Sequence, residues 1–338
     1  MSSSAPHVYP LLFEPSLHEK VWGGRQIETR LGKPLPPGQP IGESWEIYWK
    51  NRVANGEYRG KTLGDLISEY PEAMVGSENA DPEFPLLIKF IDAQDWLSVQ
   101  VHPDDKLAAE LEGEPRGKTE CWYIVDAAPN AQIVYGFSEP IDADGFRKLL
   151  ETGHVRDVLQ YVNVAPGDFI FVPAGTLHAI GPGILLYELQ QTSDTTYRVY
   201  DWDRLGLDGK PRELHIDKSM RATHFDVKPE ANFPYTLQPA PNMPDNCLTF
   251  GTIIEGRYFG LEKLRYKHNG SDCSMDESKP VHAITVISGS VTIKSLEERF
   301  QPLTLSVGQS AFMPAQLGYF TIYPESEAEV LRAYLPTK

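Results

Sequence analysis

Proline and glycine interrupt this chain at short intervals along its whole length, 28 of one and 27 of the other, instead of gathering in one linker. Between the breaks lie short runs rich in Val, Ile, Phe, Tyr and Trp. A long helix has no room there, because each interior Gly or Pro costs a helix about 1–3 kcal/mol. Strands of ~5–6 residues fit the gaps, so the pattern predicts an all-β sandwich or barrel. Strands are expected at Leu86–Ala93, Leu97–Val101, Glu120–Val125, Ala131–Tyr135, Tyr161–Val164, Phe169–Val172, Leu185–Leu189 and Thr196–Tyr200. Helix is expected only in patches: Thr62–Tyr70, Asp104–Leu111, and Asp142–Tyr161 with a break near Gly153.

The four prolines of Pro234–Asp245 mark a passage between two domains, one over residues 1–235 and a second over 236–338. The halves echo each other. Gly167, Pro173, Gly175 and His178 are answered by Gly308, Pro314 and then Leu317 and Gly318, with the counterpart of His178 expected in Leu317–Tyr319. Upstream, Glu120 to Asp126 is answered by His282 to Ser288. Two copies of one small barrel follow, and the second lacks most polar residues of the first, so it is read as metal-free.

Lys and Arg number 31 against 47 Asp and Glu, a net charge of −16 and a pI near 5.0. That surface repels nucleic-acid backbones and anionic membranes, leaving a small anion in a local basic pocket as the compatible partner. No apolar run approaches the ~18–20 residues of a membrane span. Met1–Tyr9 lacks the basic start and apolar centre of a secretory signal. Three scattered cysteines, Cys121, Cys247 and Cys273, with no CxxC, suit a reducing cytoplasm rather than a disulfide framework.

Chemistry concentrates in Gln100, His102, Glu120 and His178. Strand periodicity puts Gln100 and His102 on one face, with Val99 and Val101 on the other. Glu120 opens the next strand on the face of Trp122 and Ile124, and His178 follows a Pro/Gly turn that would fix its imidazole at a barrel mouth. Two imidazoles, a carboxylate and an amide oxygen suit Zn²⁺, Fe²⁺ or Mn²⁺ with room for water or substrate. Cys121 alternates away as a small buried hydrophobe. His7, His18, His154, His215, His224, His268 and His282 have no comparable register.

The run Gly-x5-Pro-x-Gly-x2-His matches the second cupin motif. With Phe84–Ala93, Leu97–Asp104, Gly117–Tyr123, Pro173–Ile180 and Thr195–Trp202, the chain resembles the type I mannose-6-phosphate isomerases. Val21–Gly24 and Ile41–Glu46 extend the likeness, which runs closely over about residues 10–215. The resemblance implies two cupin (jelly-roll) barrels with a few short helices, and the short bacterial form, since the chain cannot hold the helical domain of longer members. It implies one catalytic zinc on Gln100, His102, Glu120 and His178. It also implies interconversion of mannose 6-phosphate and fructose 6-phosphate through an enediol.

Glu188, ten residues before Arg198, is similar to the family's active-site strand pair and is the expected base. Lys118 shares the face of Glu120 and would supply positive charge or a proton; read structurally, Glu188 and Lys118 would be a cross-strand ion pair. Arg198 offers a planar fork for phosphate or oxyanion, while Lys89 and Ser98 are further substrate contacts, Lys89 being also readable as an edge-strand lysine. A monomer or weak homo-oligomer acting on a small hexose phosphate is expected. Two rivals remain: an iron-dependent cupin dioxygenase, and a catalytically silent sugar-binding or regulatory cupin.

Overall fold

The computed structural model describes residues 6–226, 234–240, 247–267, 273–274 and 281–336. His268, and the part of the expected inter-domain passage at 241–245, lie outside the described residues, as does the side chain of Cys273. In chain order the first half forms β1 (Ser16–Gly24), β2 (Ile41–Ile47), β3 (Leu86–Ala93), β4 (Val99–Val101), β5 (Glu120–Ala127), β6 (Gln132–Phe137), β7 (Leu159–Asn163), β8 (Phe169–Val172), β9 (His178–Ile180), β10 (Ile184–Gln191) and β11 (Tyr197–Tyr200). A six-stranded antiparallel sheet, β1-β2-β3-β10-β5-β8, packs over a five-stranded one, β11-β4-β9-β6-β7. Trp22, Ile91, Trp122, Ile124 and Leu186 from the first meet Ile133, Tyr135 and Ile180 from the second in the core between them. This is a jelly-roll barrel of the cupin type.

The period of two decides what each strand puts inside. On β10, Leu185, Tyr187 and Leu189 point outward into a second apolar cluster, while Ile184 and Leu186 fill the barrel and Glu188 continues their row. On β5, Cys121 and Tyr123 face out, and Glu120, Trp122 and Ile124 face in. Each row is thus apolar at one end of the barrel and polar at the other. The polar end is the site.

The second half repeats the plan with β12 (Gln238–Pro239), β13 (Leu248–Glu255), β14 (Gly260–Tyr266), β15 (Cys273–Ser274), β16 (His282–Ser288), β17 (Ser290–Ser295), β18 (Leu303–Ser306), β19 (Ser310–Met313), β20 (Phe320–Pro324) and β21 (Ala328–Tyr334). Its sheets, β12-β13-β14-β21-β16-β19 and β15-β20-β17-β18, follow the first pair strand for strand, save that nothing among the described residues matches β11. Register makes the echo exact to the residue: Glu120 faces Val172 just before Pro173, and His282 faces Met313 just before Pro314. The counterpart of His178 needs correction. Tyr135 pairs with His178 and Ile133 with Ile180 on β6, whereas Ser295 pairs with Phe320 and Ile293 with Ile322 on β17. Phe320, one residue beyond the expected stretch, holds that place and stacks on His282 with ring centroids 5.9 Å apart.

Helices are short. The helix Leu63–Glu69 is closed by a capping box between Thr62 and Asp65, and Asp105–Glu112 is capped by Asp104, whose side chain accepts from the Leu107 N–H at 2.7 Å. The expected helix over Asp142–Tyr161 ends at Glu151; Val155–Val158 is a 3₁₀ turn and Leu159 already belongs to β7. Gly153 in the left-handed region ends the helical stretch, and Leu159–Asn163 takes the sheet edge beyond the 3₁₀ turn.

One apolar cluster runs through both halves, joining Leu86, Ile88 and Phe90 to Ala283, Phe312 and Leu331. Leu11 bridges to Phe312 by backbone hydrogen bonds at 2.9 Å in each direction, and Phe84 meets the Phe312 ring edge-on at 5.3 Å. Phe312→Ala is expected to lower unfolding free energy by about 3–5 kcal/mol, the usual loss for a fully buried Phe. Chemical denaturation measures it, and a loss below about 1 kcal/mol would show that the halves do not share this core.

Candidate active site

Two of the elements that build the site depend on glycine. Gly175 has φ +89, and a Cβ there would lie 2.5 Å from the His224 ring; its N–H donates to the His102 carbonyl at 2.9 Å, tying the turn before His178 to the strand end bearing His102. Gly117 lies so close to the backbone of Asp104 and Asp105 that a Cβ would come within 2.4–2.6 Å of their atoms, which brings the Lys118–Glu120 segment against the same strand end.

His102, Glu120 and His178 converge at the polar end of the first barrel. Glu120 Oε2 lies 3.5 Å from His102 Nε2, and Glu120 Oε1 lies 3.3 Å from His178 Nε2. One donor atom from each of the three lies within 4.8 Å of the others, and all three residues are buried, Glu120 wholly so. Each imidazole has its Nδ1 against a backbone carbonyl, Thr195 at 3.0 Å for His102 and Thr176 at 2.9 Å for His178. Nδ1 therefore carries the proton, and Nε2 presents a lone pair to the centre. Burial, reinforced by Lys118, pushes His102 well below the usual imidazole range, and burial takes His178 down to about 4, so both rings are neutral near pH 7.

Apart from its ion-pair contact with Lys118 Nζ at 3.3 Å, Glu120 accepts no hydrogen bond on either oxygen among the described residues, and neither does His102 Nε2. A buried carboxylate beside two converging lone pairs is costly without a cation. The donor set fits a divalent metal ion. Gln100 lies alongside, its Nε2 3.3 Å from His178 Nε2, and ligation by Oε1 requires the amide to be turned over.

Beside this group opens a cavity of about 270 Å³, suited to a small polar molecule, lined by Lys20, Trp22, Glu43, Lys89, Ser98, Gln100, Lys118, Glu188, Asp194, Arg198 and Arg212, among others. The expected site residues Gln100, Ser98, Lys89, Lys118, Glu188 and Arg198 therefore share one pocket wall. Two local pairings differ from the sequence reading. Glu188 Oε2 pairs with Lys89 Nζ at 2.7 Å, not with Lys118, and its Oε1 accepts from Trp122 Nε1 at 2.8 Å. Lys89 is on β3, in the middle of the sheet and 5% exposed, so it is no edge lysine. Burial, together with the negative charge of Glu120, raises the Glu188 carboxyl above its ordinary value.

The sequence reading missed Lys20, Glu43 and Arg212. Glu43 sits between Lys20 Nζ at 3.1 Å and Lys89 Nζ at 3.4 Å and accepts from Trp45 Nε1 at 2.7 Å, which holds its carboxyl far below the usual range despite burial. Alternation within Ile41–Ile47, putting Glu43 and Trp45 on one face, was the available signal. A larger cavity, about 610 Å³, opens at the corresponding end of the second barrel against His282 and Phe320, where no His–Glu–His group occurs among the described residues.

A jelly-roll barrel with a buried His–Glu–His group open to a cation-lined cleft defines a metal-binding cupin enzyme. A sequence model of the phosphomannose isomerase type I catalytic domain matches residues 11–128. The chain is 38% identical over 330 residues to mannose-6-phosphate isomerase ManA of Bacillus subtilis, covering 96% of this chain and 99% of the relative. It is 44% identical over 215 residues to mannose-6-phosphate isomerase of Streptococcus mutans, covering 62% and 66%. The crystal structure of a Bacillus subtilis mannose 6-phosphate isomerase superposes with a TM-score of 0.86 at 34% identity, over 96% of this chain and 99% of that one. The chain belongs to the type I mannose-6-phosphate isomerase family. This kinship favours an isomerase over the dioxygenase and silent-cupin readings.

Proposed function

We propose that this protein interconverts mannose 6-phosphate and fructose 6-phosphate by moving a proton between C1 and C2 through an enediol. The observation that carries the reading is the His102–Glu120–His178 group opening on a cleft that also holds Lys89, Lys118, Glu188 and Arg198. We infer zinc as the ion, held by His102, Glu120 and His178 with Gln100 as a fourth donor; the absence of a thiolate from the set suits a catalytic rather than a closed structural site. When bound, the ion supplies Lewis-acid polarisation of the sugar oxygens at C1 and C2, worth several kcal/mol in barrier.

The chain's own groups do the rest. Glu188 takes the carbon-bound proton, its raised affinity for protons bringing it nearer the working pH. Lys89 keeps that carboxylate in place and balances its charge. Lys118, paired with Glu120, reaches the substrate oxygens and donates a proton to them. Arg198 and Ser98 hold the phosphorylated end. We assign the catalytic barrel to residues 1–235 and a barrel without a metal site to 236–338, where Phe320 replaces the second imidazole. A cytoplasmic monomer or weak homo-oligomer is the setting we infer; the buried free thiols of Cys121 and Cys247 support a reducing one.

No helix among the described residues is long and apolar enough to cross a membrane. The test is a coupled assay on purified zinc-loaded protein with mannose 6-phosphate beside a chelated control. Turnover should vanish on chelation and return with zinc; a loaded protein that leaves the sugar unchanged overturns the reading.

A further inference from the structure

The segment after β11 leaves the sheet and returns to it. Residues 201–215 close into a narrow flap, with a bridge between Leu205 and Pro211 and a hydrogen bond from the Gly206 N–H to the Lys210 carbonyl at 2.8 Å. The returning limb lies along β11 at Arg198. His215 N–H donates to the Arg198 carbonyl at 2.7 Å, Arg198 N–H donates to His215 Nδ1 at 3.1 Å, and Arg198 Nη1 donates to the Glu213 carbonyl at 2.9 Å. This docking delivers Arg212 to the cavity wall that Arg198 also lines.

Arg212 is fixed there. Its Nε and Nη2 donate to the two oxygens of the buried Asp201 at 2.7 and 2.5 Å, and Asp201 also accepts from Arg204 at 3.0 and 3.2 Å. At the root of the flap Trp202 and Asp203 both hold φ +58, a conformation unfavourable for such side chains, and Trp202 Nε1 is anchored on the Leu97 carbonyl at 2.7 Å.

The charges on this wall are incompletely matched. Lys89 is matched by Glu188 and Glu43, Lys118 by Glu120, and Lys20 by Glu43. Arg212 is matched by Asp201, and Arg204 by Asp201 and, at 3.1 Å, by Asp95; the half-buried Arg198 alone has a buried Nε with no acceptor among the described residues. Two guanidinium groups on one sheltered wall repel each other unless an anion sits between them. Burial and the nearby Arg212 both weaken the hold of Arg198 on its proton, as such crowding requires.

We propose that Arg212, held in position by Asp201, binds the substrate phosphate together with Arg198, making the flap a phosphate clamp on the wall of the cleft. The proposal rests on the isomerase reading for its substrate. Arg212 is a binding residue and Asp201 a positioning residue.

In the zinc-loaded enzyme, Arg212→Gln should raise KM for mannose 6-phosphate at least about tenfold and weaken inhibition by inorganic phosphate by a similar factor, with kcat changed less than about threefold. Arg212→Lys should recover part of the loss, because charge returns without the fork. Asp201→Asn should raise KM by an intermediate factor and again spare kcat. Unchanged KM and phosphate inhibition in Arg212→Gln, or a loss confined to kcat, overturns the proposal. Calorimetric binding of inorganic phosphate to the unaltered enzyme and to Arg212→Gln reads the clamp without turnover. If the unaltered enzyme failed to isomerise the sugar yet bound phosphate through Arg212, the isomerase reading would fall and the clamp would stand.

Discussion

Glu120→Ala is expected to yield a purified protein that retains no stoichiometric metal and isomerises mannose 6-phosphate at least about a thousandfold more slowly. The factor follows from losing roughly 4 kcal/mol of Lewis-acid stabilisation, at 1.36 kcal/mol per tenfold. Glu120 is the only carboxylate in the His–Glu–His group, and it lies 3.3–3.5 Å from both imidazole Nε2 atoms. Without it, two neutral imidazoles and an amide remain, with Lys118 now unpaired beside them and repelling a cation. His178→Ala should behave alike. Elemental analysis and steady-state kinetics check both variants. Thermal unfolding adds a second reading: chelation should lower the Tm of the unaltered protein and leave that of Glu120→Ala unmoved, since only a protein that binds the ion is stabilised by it. Full metal content with full activity in either variant would count decisively against the assigned ligands.

Glu188→Gln is expected to keep the metal and lose about 10²–10⁴-fold in kcat, the usual contribution of a positioned base. The amide preserves shape and can still accept from Trp122 Nε1, and Lys89 keeps Glu43 as a partner at 3.4 Å, so the pocket should hold its form. What disappears is the capacity to take a proton. Exchange of the C2 hydrogen with deuterated solvent reads that step directly. Exchange at the unaltered rate would remove Glu188 from the role and shift attention to the other charged groups of the cleft. Because burial raises the Glu188 carboxyl, the acid limb of activity should lie above the ordinary glutamate value, and it should vanish in the amide variant.

Much of this architecture was legible in the chain because strand periodicity is a local property. Leu86–Ala93 and Phe169–Val172 form with the bounds their composition suggests, and the inward placement of Gln100, His102 and Glu120 follows from counting in twos. What local pattern could not supply is register between strands distant in sequence. Glu188 meets Lys89 across the β10–β3 ladder, a pairing that no spacing announces. The second copy spends one residue more than the first between its motif proline and the next strand, so counting from Pro314 stopped short of Phe320. Arg212 was invisible for a third reason. The Leu205–Pro211 bridge turns the chain back along β11, and only that return brings Arg212 to the cleft wall.

The shared cluster around Phe312, Leu11 and Phe84 gives the second barrel a duty that does not depend on any ligand of its own. Substitutions that loosen this seam lie on the outer face of the catalytic sheet, away from the sugar. Their harm should appear as fewer intact molecules in the cell, through faster proteolysis and aggregation, while each surviving molecule turns over normally. Variants that diminish total activity here would thus be disorders of supply, to be remedied by stabilising the seam and untouched by raising the concentration of the metal ion.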